Sequence, residues 1–339
     1  MEKPPAGEVG LILALAQRFG ATPPEVILGI GDDCAAMDLG GPDFLLWTID
    51  TLVEGVHFDP AYITLTQLGH KSLAVNLSDI AAMGGEPLYA LLSLGWPPGR
   101  DLAGALALGQ GLAQEARKYG VSVIGGDTVA SPQGLAVTVS VLGRVPRGEM
   151  LRRAGARPGD EIYVTGPLGE AAAGLEILRR GLKIESEIKE PLIQAHLSPQ
   201  PQLKAGRLLA REGLASALID LSDGVASDLY HICRAGGVGA RLKAQALPLS
   251  PQVRAVAQKI GLDPLDLALR GGEDYQLLFT SPREKAASLA QVFSQAGLAP
   301  PIFLGEIISG EEVWLKDGDK EKIISGTGYD HFPLDLDSP

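Results

Sequence analysis

The chain has 339 residues, of which 45% are hydrophobic, and its formal net charge at pH 7 is −12. This composition is typical of a soluble globular protein, and the length favours a division into two domains. The negative charge argues against nucleic acid or an anionic membrane surface as the main partner, because both require a basic surface.

Cysteine usage and the N-terminal residues bear on the compartment. Cys34 and Cys233 form no CxxC pair, so the sequence predicts neither a disulfide framework nor a zinc site. The opening residues MEKPPAGEVG lack the basic segment of a secretory signal. No stretch approaches the ~18 consecutive apolar residues of a membrane helix. We therefore expect a cytoplasmic protein without a membrane span.

Strands and helices alternate along the chain. In the first half, the hydrophobic pattern predicts helices over 9–19, 65–83 and 102–119, and strands over 44–50, 88–96, 121–127 and 135–143. In the second half it predicts helices over 169–180, 201–212, 224–235 and 283–297, and strands over 217–222, 275–280 and 301–307. Arg, Gly and Pro accumulate near 148–157, so we expect an N-terminal domain of residues 1–148 and a C-terminal domain of residues 149–339. The fold class is therefore α/β.

Aspartates recur where these predicted strands end. Most of them follow an apolar run and one lies on a helix: Asp32 and Asp33 in GIGDD, Asp50 in TID, Asp127 in GGD, Asp220 and Asp223 in IDLSDG, and Asp79 in the helical LSD. Taken alone, each one is better explained as a solvated turn or a helix cap. Because ligands of α/β folds gather at the carboxyl ends of strands, the recurrence predicts that the carboxylates converge on one cleft.

Converging carboxylates require a compensating positive charge. Two of them about 4 Å apart near a protein surface repel by roughly 4 kcal/mol. Mg²⁺ prefers carboxylates together with water and substrate phosphates, so the pattern predicts Mg²⁺ and a polyphosphate. Glycine pairs beside the acids, in GGDT and GGED, let the main chain approach phosphate oxygens, although the chain has no P-loop and no complete GxGxxG motif.

Eight motifs in colinear order resemble those of the thiamine-monophosphate kinase family, a member of the aminoimidazole ribonucleotide synthetase-like superfamily. They are GIGDDCA, DTLVEGVHF, KSLAVNLSDIAAMGGEP, GGDT, YVTGPLG, IDLSDG, GGEDY and GYDHF. The resemblance spans residues 9–332. It implies ATP- and Mg²⁺-dependent conversion of thiamine monophosphate to thiamine diphosphate. It also implies a homodimer that pairs through the mixed sheet of the N-terminal domain, with a C-terminal α/β domain completing the cleft.

Carried over motif by motif, the resemblance implies three groups of site residues. The Mg²⁺ ligands would be Asp33, Thr48, Asp50, Asp79, Asp127, Asp220 and Asp223, with the main-chain carbonyl of Ile49. The ATP contacts would be Tyr119, Gly126, Asp127, Arg153 and Ser222. The thiamine monophosphate contacts would be His57, Glu273 and Tyr329. Ile49 stands where the family often has Thr, and Tyr329 where Trp is frequent.

No catalytic general base is expected, because the acceptor phosphate is already a competent nucleophile at neutral pH. Two other interpretations stay open at this point. One is a different ATP-using synthetase of the same superfamily. Of these, selenophosphate synthetase is disfavoured because no cysteine precedes Cys34 and GYDHF would have no counterpart. The other is a calcium- or magnesium-binding structural protein without turnover.

Overall fold

The computed structural model describes residues 7–329 together with 331 and 332. The ends of both expected domains, 1–6 and 333–339, and Asp330 of the GYDHF motif lie outside the described residues. The described chain forms two mixed α/β domains, each built on one sheet, with six strands in the first sheet and seven in the second.

The N-terminal domain is a six-stranded sheet with two long helices packed on its inner face. The strand order is β1-β2-β3-β6-β4-β5, and only β4 and β5 run parallel. The elements are α1 (Glu8–Ala16), β1 (Val26–Leu28), β2 (Ala35–Met37), β3 (Asp43–Val53), α2 (Leu65–Ala82), β4 (Glu86–Trp96), α3 (Leu102–Tyr119), β5 (Ser122–Ala130) and β6 (Ala136–Pro146).

The C-terminal domain is a seven-stranded sheet of order β13-β12-β9-β11-β7-β10-β8, in which only β9 and β12 run parallel. Its elements are β7 (Glu161–Val164), α4 (Glu170–Arg180), α5 (Ser186–Leu197), α6 (Leu203–Arg211), β8 (Ala217–Asp220), α7 (Val225–Gly236), β9 (Gly239–Lys243), α8 (Pro251–Ile260), α9 (Pro264–Arg270), β10 (Leu277–Ser281), α10 (Arg283–Gln295), β11 (Ile302–Ile308), β12 (Val313–Asp317) and β13 (Lys320–Ile323).

Helix α2 is the structural centre of the molecule. It begins with a capping box between Thr64 and Gln67, which satisfies orphan N–H groups of the first turn. A Cβ atom at Gly69 would lie 2.1 Å from the carbonyl oxygen of Leu108, so glycine permits close packing of α2 on α3. The other side of α2 contacts α6 and β8 of the C-terminal domain. The helix therefore carries its polar residues into the space between the domains.

Two predicted strand ends are wrong. The strand expected to stop at Asp50 continues to Val53, because residues 51–53 pair with 136–138 of β6. The strand expected to stop at Asp127 continues to Ala130, because residues 127–130 pair with 93–96 of β4. Both aspartates therefore lie inside strands of a largely antiparallel sheet.

The outer face of the N-terminal sheet is apolar and exposed. Trp47, Ile49 and Val53 alternate along β3 with the core residues Leu46 and Leu52, and their side chains are 37–65% exposed. Two strand edges are also open within the described residues. Strand β5 pairs only with β4, and β3 pairs with β2 only over residues 45–47. Within residues 7–329, 331 and 332, no helix is both long and apolar enough to cross a bilayer.

Candidate active site

Three carboxylates from distant parts of the chain meet between the two domains. One oxygen each of Asp33, Asp79 and Asp220 lies within 4.8 Å of the others. Asp33 follows β1, Asp79 lies in the last turn of α2, and Asp220 ends β8. We call these three residues the aspartate cluster.

Strand β3 contributes two further polar side chains to the aspartate cluster. Thr48 and Asp50 lie on the inner face of β3, which faces α2. The Thr48 hydroxyl donates a hydrogen bond to Oδ2 of Asp79 at 2.5 Å, and the Asp50 and Asp79 carboxyl groups also share a hydrogen bond. Ile49 lies between Thr48 and Asp50 with its side chain on the outer face of β3. Only its main chain is therefore available to the cluster.

The carboxyl groups of the aspartate cluster, and that of the adjacent Asp50, have raised pKa values. Burial raises the pKa of Asp50 to about 6. Burial, and then the charge of Asp33, raises the pKa of Asp220 to about 8. Burial together with Asp50, Asp220 and Asp33 raises the pKa of Asp79 well above its usual value. The protein alone therefore does not supply enough positive charge for all four carboxylates.

Arg153 is the cation beside the cluster. Its Nη2 and Nε atoms donate to Oδ1 of Asp33 at 2.6 and 3.2 Å, and its backbone N–H donates to the Asp32 carboxylate. Oδ2 of Asp33 is buried and has no hydrogen-bond partner among the described residues. An arginine has five N–H donors, so Arg153 keeps donors for a phosphate while holding Asp33.

The donor set fits Mg²⁺. The ligand atoms that converge among the described residues are carboxylate oxygens, joined by the Thr48 hydroxyl, which are hard donors rather than the imidazole or thiolate that zinc prefers. Oδ2 of Asp33, buried without a hydrogen-bond partner among the described residues, is an acceptor that a divalent cation would satisfy. Asp33, Asp50, Asp79 and Asp220 are the residues that would hold it.

A cavity of about 600 Å³ opens beside the aspartate cluster. Asp50, Ser222 and Asp223 line one part of it. His57, Glu273 and Tyr329, which come from three separate regions of the chain, line the same cavity. Some residues of each expected group, two for the metal, one for ATP and all three for the acceptor, thus line one cavity.

His57 and Tyr329 form an aromatic corner of this cavity with His331. The ring centroid of His331 lies 5.0 Å from that of His57 and 5.0 Å from that of Tyr329. The backbone N–H of Val53 donates to Nδ1 of His57 at 3.0 Å, and burial, followed by His331, lowers the pKa of His57. Tyr329 is anchored by its backbone N–H, which donates to the carbonyl of Asp223 at 3.2 Å.

The structure places Tyr119, Gly126 and Asp127 apart from the cluster. Tyr119 ends α3 and is half-buried on the N-terminal core. A Cβ atom at Gly126 would lie 1.7 Å from the carbonyl oxygen of Leu92, so strand contact alone requires this glycine. Asp127 is exposed on β5 and accepts a hydrogen bond from its neighbour Thr128.

The sheet register gives the separation of Asp127 from Asp50. Asp50 lies opposite Val139, Val139 opposite Leu92, and Leu92 opposite Gly126. Three strand spacings amount to about 14 Å. The two carboxylates of one chain therefore cannot bind the same ion.

Sequence reasoning missed two groups of residues around this cleft. Asp228 accepts hydrogen bonds from the backbone N–H groups of Asp223 and Gly224 and so orders the loop before α7. Lys71 and His196 lie against the Glu273 carboxylate. A charged residue inside the apolar pattern of a central helix was the available signal for Lys71.

Comparison with known proteins agrees with this geometry. The AIR synthase related protein N-terminal domain matches residues 31–145, and the corresponding C-terminal domain matches residues 157–317. A curated thiamine-monophosphate kinase of Salmonella typhimurium is 41% identical over 330 residues, which cover 96% of this chain and 98% of that protein. The chain belongs to the thiamine-monophosphate kinase family.

Solved structures support membership of the thiamine-monophosphate kinase family. The structure described as AaThiL complexed with AMPPCP and TMP has a TM-score of 0.83 and 33% identity, covering 96% of this chain and 97% of that one. Thiamine-monophosphate kinase from Stenotrophomonas maltophilia has a TM-score of 0.75 and 35% identity, covering 91% and 95%. Hydrogenase maturation protein HypE in complex with ATP, at 20% identity and a TM-score of 0.69, shares the fold.

Proposed function

We propose that the protein transfers the terminal phosphoryl group of ATP to the phosphate of thiamine monophosphate, giving thiamine diphosphate and ADP. One observation carries the proposal: Asp50, Ser222 and Asp223 line the same cavity as His57, Glu273 and Tyr329. The bound AMPPCP and TMP of the AaThiL structure support the same pair of substrates.

The side chains supply alignment and charge compensation, which are the main requirements of phosphoryl transfer. Arg153 offers its remaining donors to a phosphate group while it holds Asp33. Thr48 orients Asp79 through its hydroxyl. Glu273 and Tyr329 bind the thiamine part of the acceptor, through hydrogen bonding and ring contact respectively. No side chain acts as a general base.

Mg²⁺ is the cation we propose for the aspartate cluster. When bound there, it would supply positive charge that neutralises the charge developing on the transferred phosphoryl group. Asp33, Asp50, Asp79 and Asp220 would hold it, with Asp223 and the carbonyl of Ile49 as further ligands.

Mg²⁺ is expected to raise the melting temperature more at pH 8.5 than at pH 6.5. In the metal-free protein, Asp79 and Asp220 keep protons that the unfolded chain has already lost, so stability falls as pH rises through this window. The lowered pKa values of His57, His196 and His231 act in the opposite direction, but only below their unfolded value near 6.5. Bound Mg²⁺ would compensate the charge of the ionised aspartate cluster, so the loss of folding stability at high pH should disappear. Differential scanning calorimetry at matched ionic strength checks this, and an equal shift at both pH values would contradict it.

We also propose a homodimer, with residues 1–148 forming the interface and most of the metal site and residues 149–339 completing the cleft. The exposed apolar face of β3 and the two open edges of the N-terminal sheet support it. Pairing of β5 of one copy with the free part of β3 of a second copy would bring Asp127 to the strand that carries Ile49 and Asp50 of that copy. Asp127 would then serve the metal site of the second copy, whereas it lies about 14 Å from Asp50 of its own chain.

ADP release with and without thiamine monophosphate tests the proposed function directly. We expect ADP formation to require both the acceptor and Mg²⁺, with thiamine giving no reaction because it lacks the nucleophilic phosphate. Equal ADP release with and without acceptor would favour a different ATP-using reaction, and no turnover at all would favour a structural cation-binding protein.

A further inference from the structure

A buried three-residue charge arrangement lies behind the acceptor side of the cavity. The Lys71 side chain on α2 is 0% exposed, and its Nζ lies 2.7 Å from Oε1 of Glu273. Nδ1 of His196, on α5, lies 2.9 Å from Oε2 of the same carboxylate. Each oxygen of Glu273 therefore has one ion-pair partner, and the partners come from two different helices, α2 and α5.

Among the described residues, the interaction of the Lys71 ammonium group is its ion pair with Glu273. Its Nζ has no hydrogen-bond partner among those described residues. A buried ammonium is unfavourable unless it is paired. Glu273 is thus the counter-charge of the buried Lys71, and Lys71 in turn fixes one oxygen of Glu273.

The backbone around Glu273 is also constrained. Glu273 has φ of 67° and Tyr275 has φ of 47°, which are the left-handed conformations among non-glycine residues of the described chain. Their N–H groups donate to the carbonyls of Ser222 and Leu221, each at 2.8 Å. Left-handed conformations of non-glycine residues persist only where surrounding contacts enforce them, and they concentrate at functional sites.

The exposed part of Glu273 faces the cavity. Its side chain is 23% exposed, whereas those of Lys71 and His196 are 0% and 3% exposed. Glu273 and His196 line the cavity, and Lys71 lies behind them outside its wall. Lys71 and His196 each form an ion pair with one oxygen of Glu273. An ionised carboxylate accepts about four hydrogen bonds, so acceptor positions remain for a ligand.

We propose that Lys71 and His196 are positioning residues, which fix the Glu273 carboxylate in the orientation that receives the pyrimidine amine of thiamine monophosphate. This inference rests on the proposed function. Burial alone would raise the pKa of Glu273, but Lys71 and His196 lower it to about 2. Glu273 therefore stays ionised at every working pH and acts as a hydrogen-bond acceptor rather than as an acid.

Steady-state kinetics of Lys71→Met, His196→Leu and Glu273→Gln test the inference. We expect each variant to raise the KM for thiamine monophosphate by about tenfold or more, the range of one charge-assisted hydrogen bond. The KM for ATP should stay within about twofold, because Lys71 and His196 act on the acceptor side only. His196→Gln, which keeps an N–H donor, should recover part of the loss.

Two comparisons separate positioning from general destabilisation. Arg207→Met is the matched control, because Nη2 of Arg207 lies 2.7 Å from Glu149 in an ion pair remote from the cavity, and it should leave both KM values unchanged. Combining Glu273→Gln with His196→Leu should add little to either single change, since both remove the same interaction.

Several outcomes would overturn the inference. They are an unchanged KM for thiamine monophosphate, parallel increases in both KM values, or additive effects in the double variant. If Lys71→Met does not fold, the KM values of His196→Leu and His196→Gln for thiamine monophosphate still test the inference. Wild-type turnover is measured first: without acceptor-dependent ADP release the proposed function itself fails, whereas an active wild type with an insensitive Lys71→Met or His196→Leu refutes only the positioning role.

Discussion

Asp79→Asn is expected to lower kcat/KM by about two to three orders of magnitude, while the metal-free protein at pH 8 stays at least as stable as the wild type. Asparagine keeps the shape and the acceptor for the Thr48 hydroxyl. It removes the charge that would bind the cation, and also the carboxyl group whose pKa burial, and then the neighbouring aspartates, raise in the metal-free protein. Activity and stability should therefore move in opposite directions.

Asp160→Asn is the matched control for this prediction. Asp160 is buried and accepts hydrogen bonds from Ser216 and from the backbone N–H of Arg157, but it is not part of the aspartate cluster. Its replacement should lower stability by about 1 kcal/mol and leave kcat unchanged. Urea unfolding and initial rates at saturating Mg²⁺ measure both quantities. Wild-type turnover in Asp79→Asn would show that the metal site is assigned wrongly.

Asp127→Asn is expected to be as inactive as Asp79→Asn, and a mixture of the two variants is expected to recover activity. In the proposed dimer, Asp127 of one copy serves the aspartate cluster of the other. A mixed dimer then contains one site with both wild-type aspartates and one site with neither. Random reassembly makes about half of the dimers mixed, so about a quarter of wild-type activity should return.

The mixing experiment distinguishes the dimer from a site within one chain. The two variants are co-expressed with different affinity tags, and light scattering first establishes the mass against the 35.5 kDa of a single chain. Activity is then assayed in homodimers and in doubly purified mixed dimers. A monomer at micromolar concentration, or mixed dimers without activity, would contradict the proposed arrangement.

Local patterns predicted most of the secondary structure. The apolar period and the caps predicted α2 and α3 almost to the residue. Helix α5 was missed because Pro191 interrupts its pattern, although the helix accommodates this proline. The ends of β3 and β5 were misjudged because pairing with β6 and β4 extends them past an acidic residue, and that pairing is not visible in a local pattern.

The cleft itself was only partly predictable. Repetition of Asp beside glycine indicated the aspartate cluster before any contact was known. The partners of Glu273 could not be found in this way, since Lys71 and His196 are 202 and 77 positions before it in the chain. Their proximity depends on how α2 and α5 pack together with the loop after α9.

The most direct test of the proposed reaction follows the label from ATP that carries ³²P in its terminal phosphate. With thiamine monophosphate and Mg²⁺ present, we predict that the label enters thiamine diphosphate in equal amount to the ADP formed, with little label in free phosphate. Label appearing only as inorganic phosphate, or ADP formed without labelled thiamine diphosphate, would contradict direct phosphoryl transfer to thiamine monophosphate.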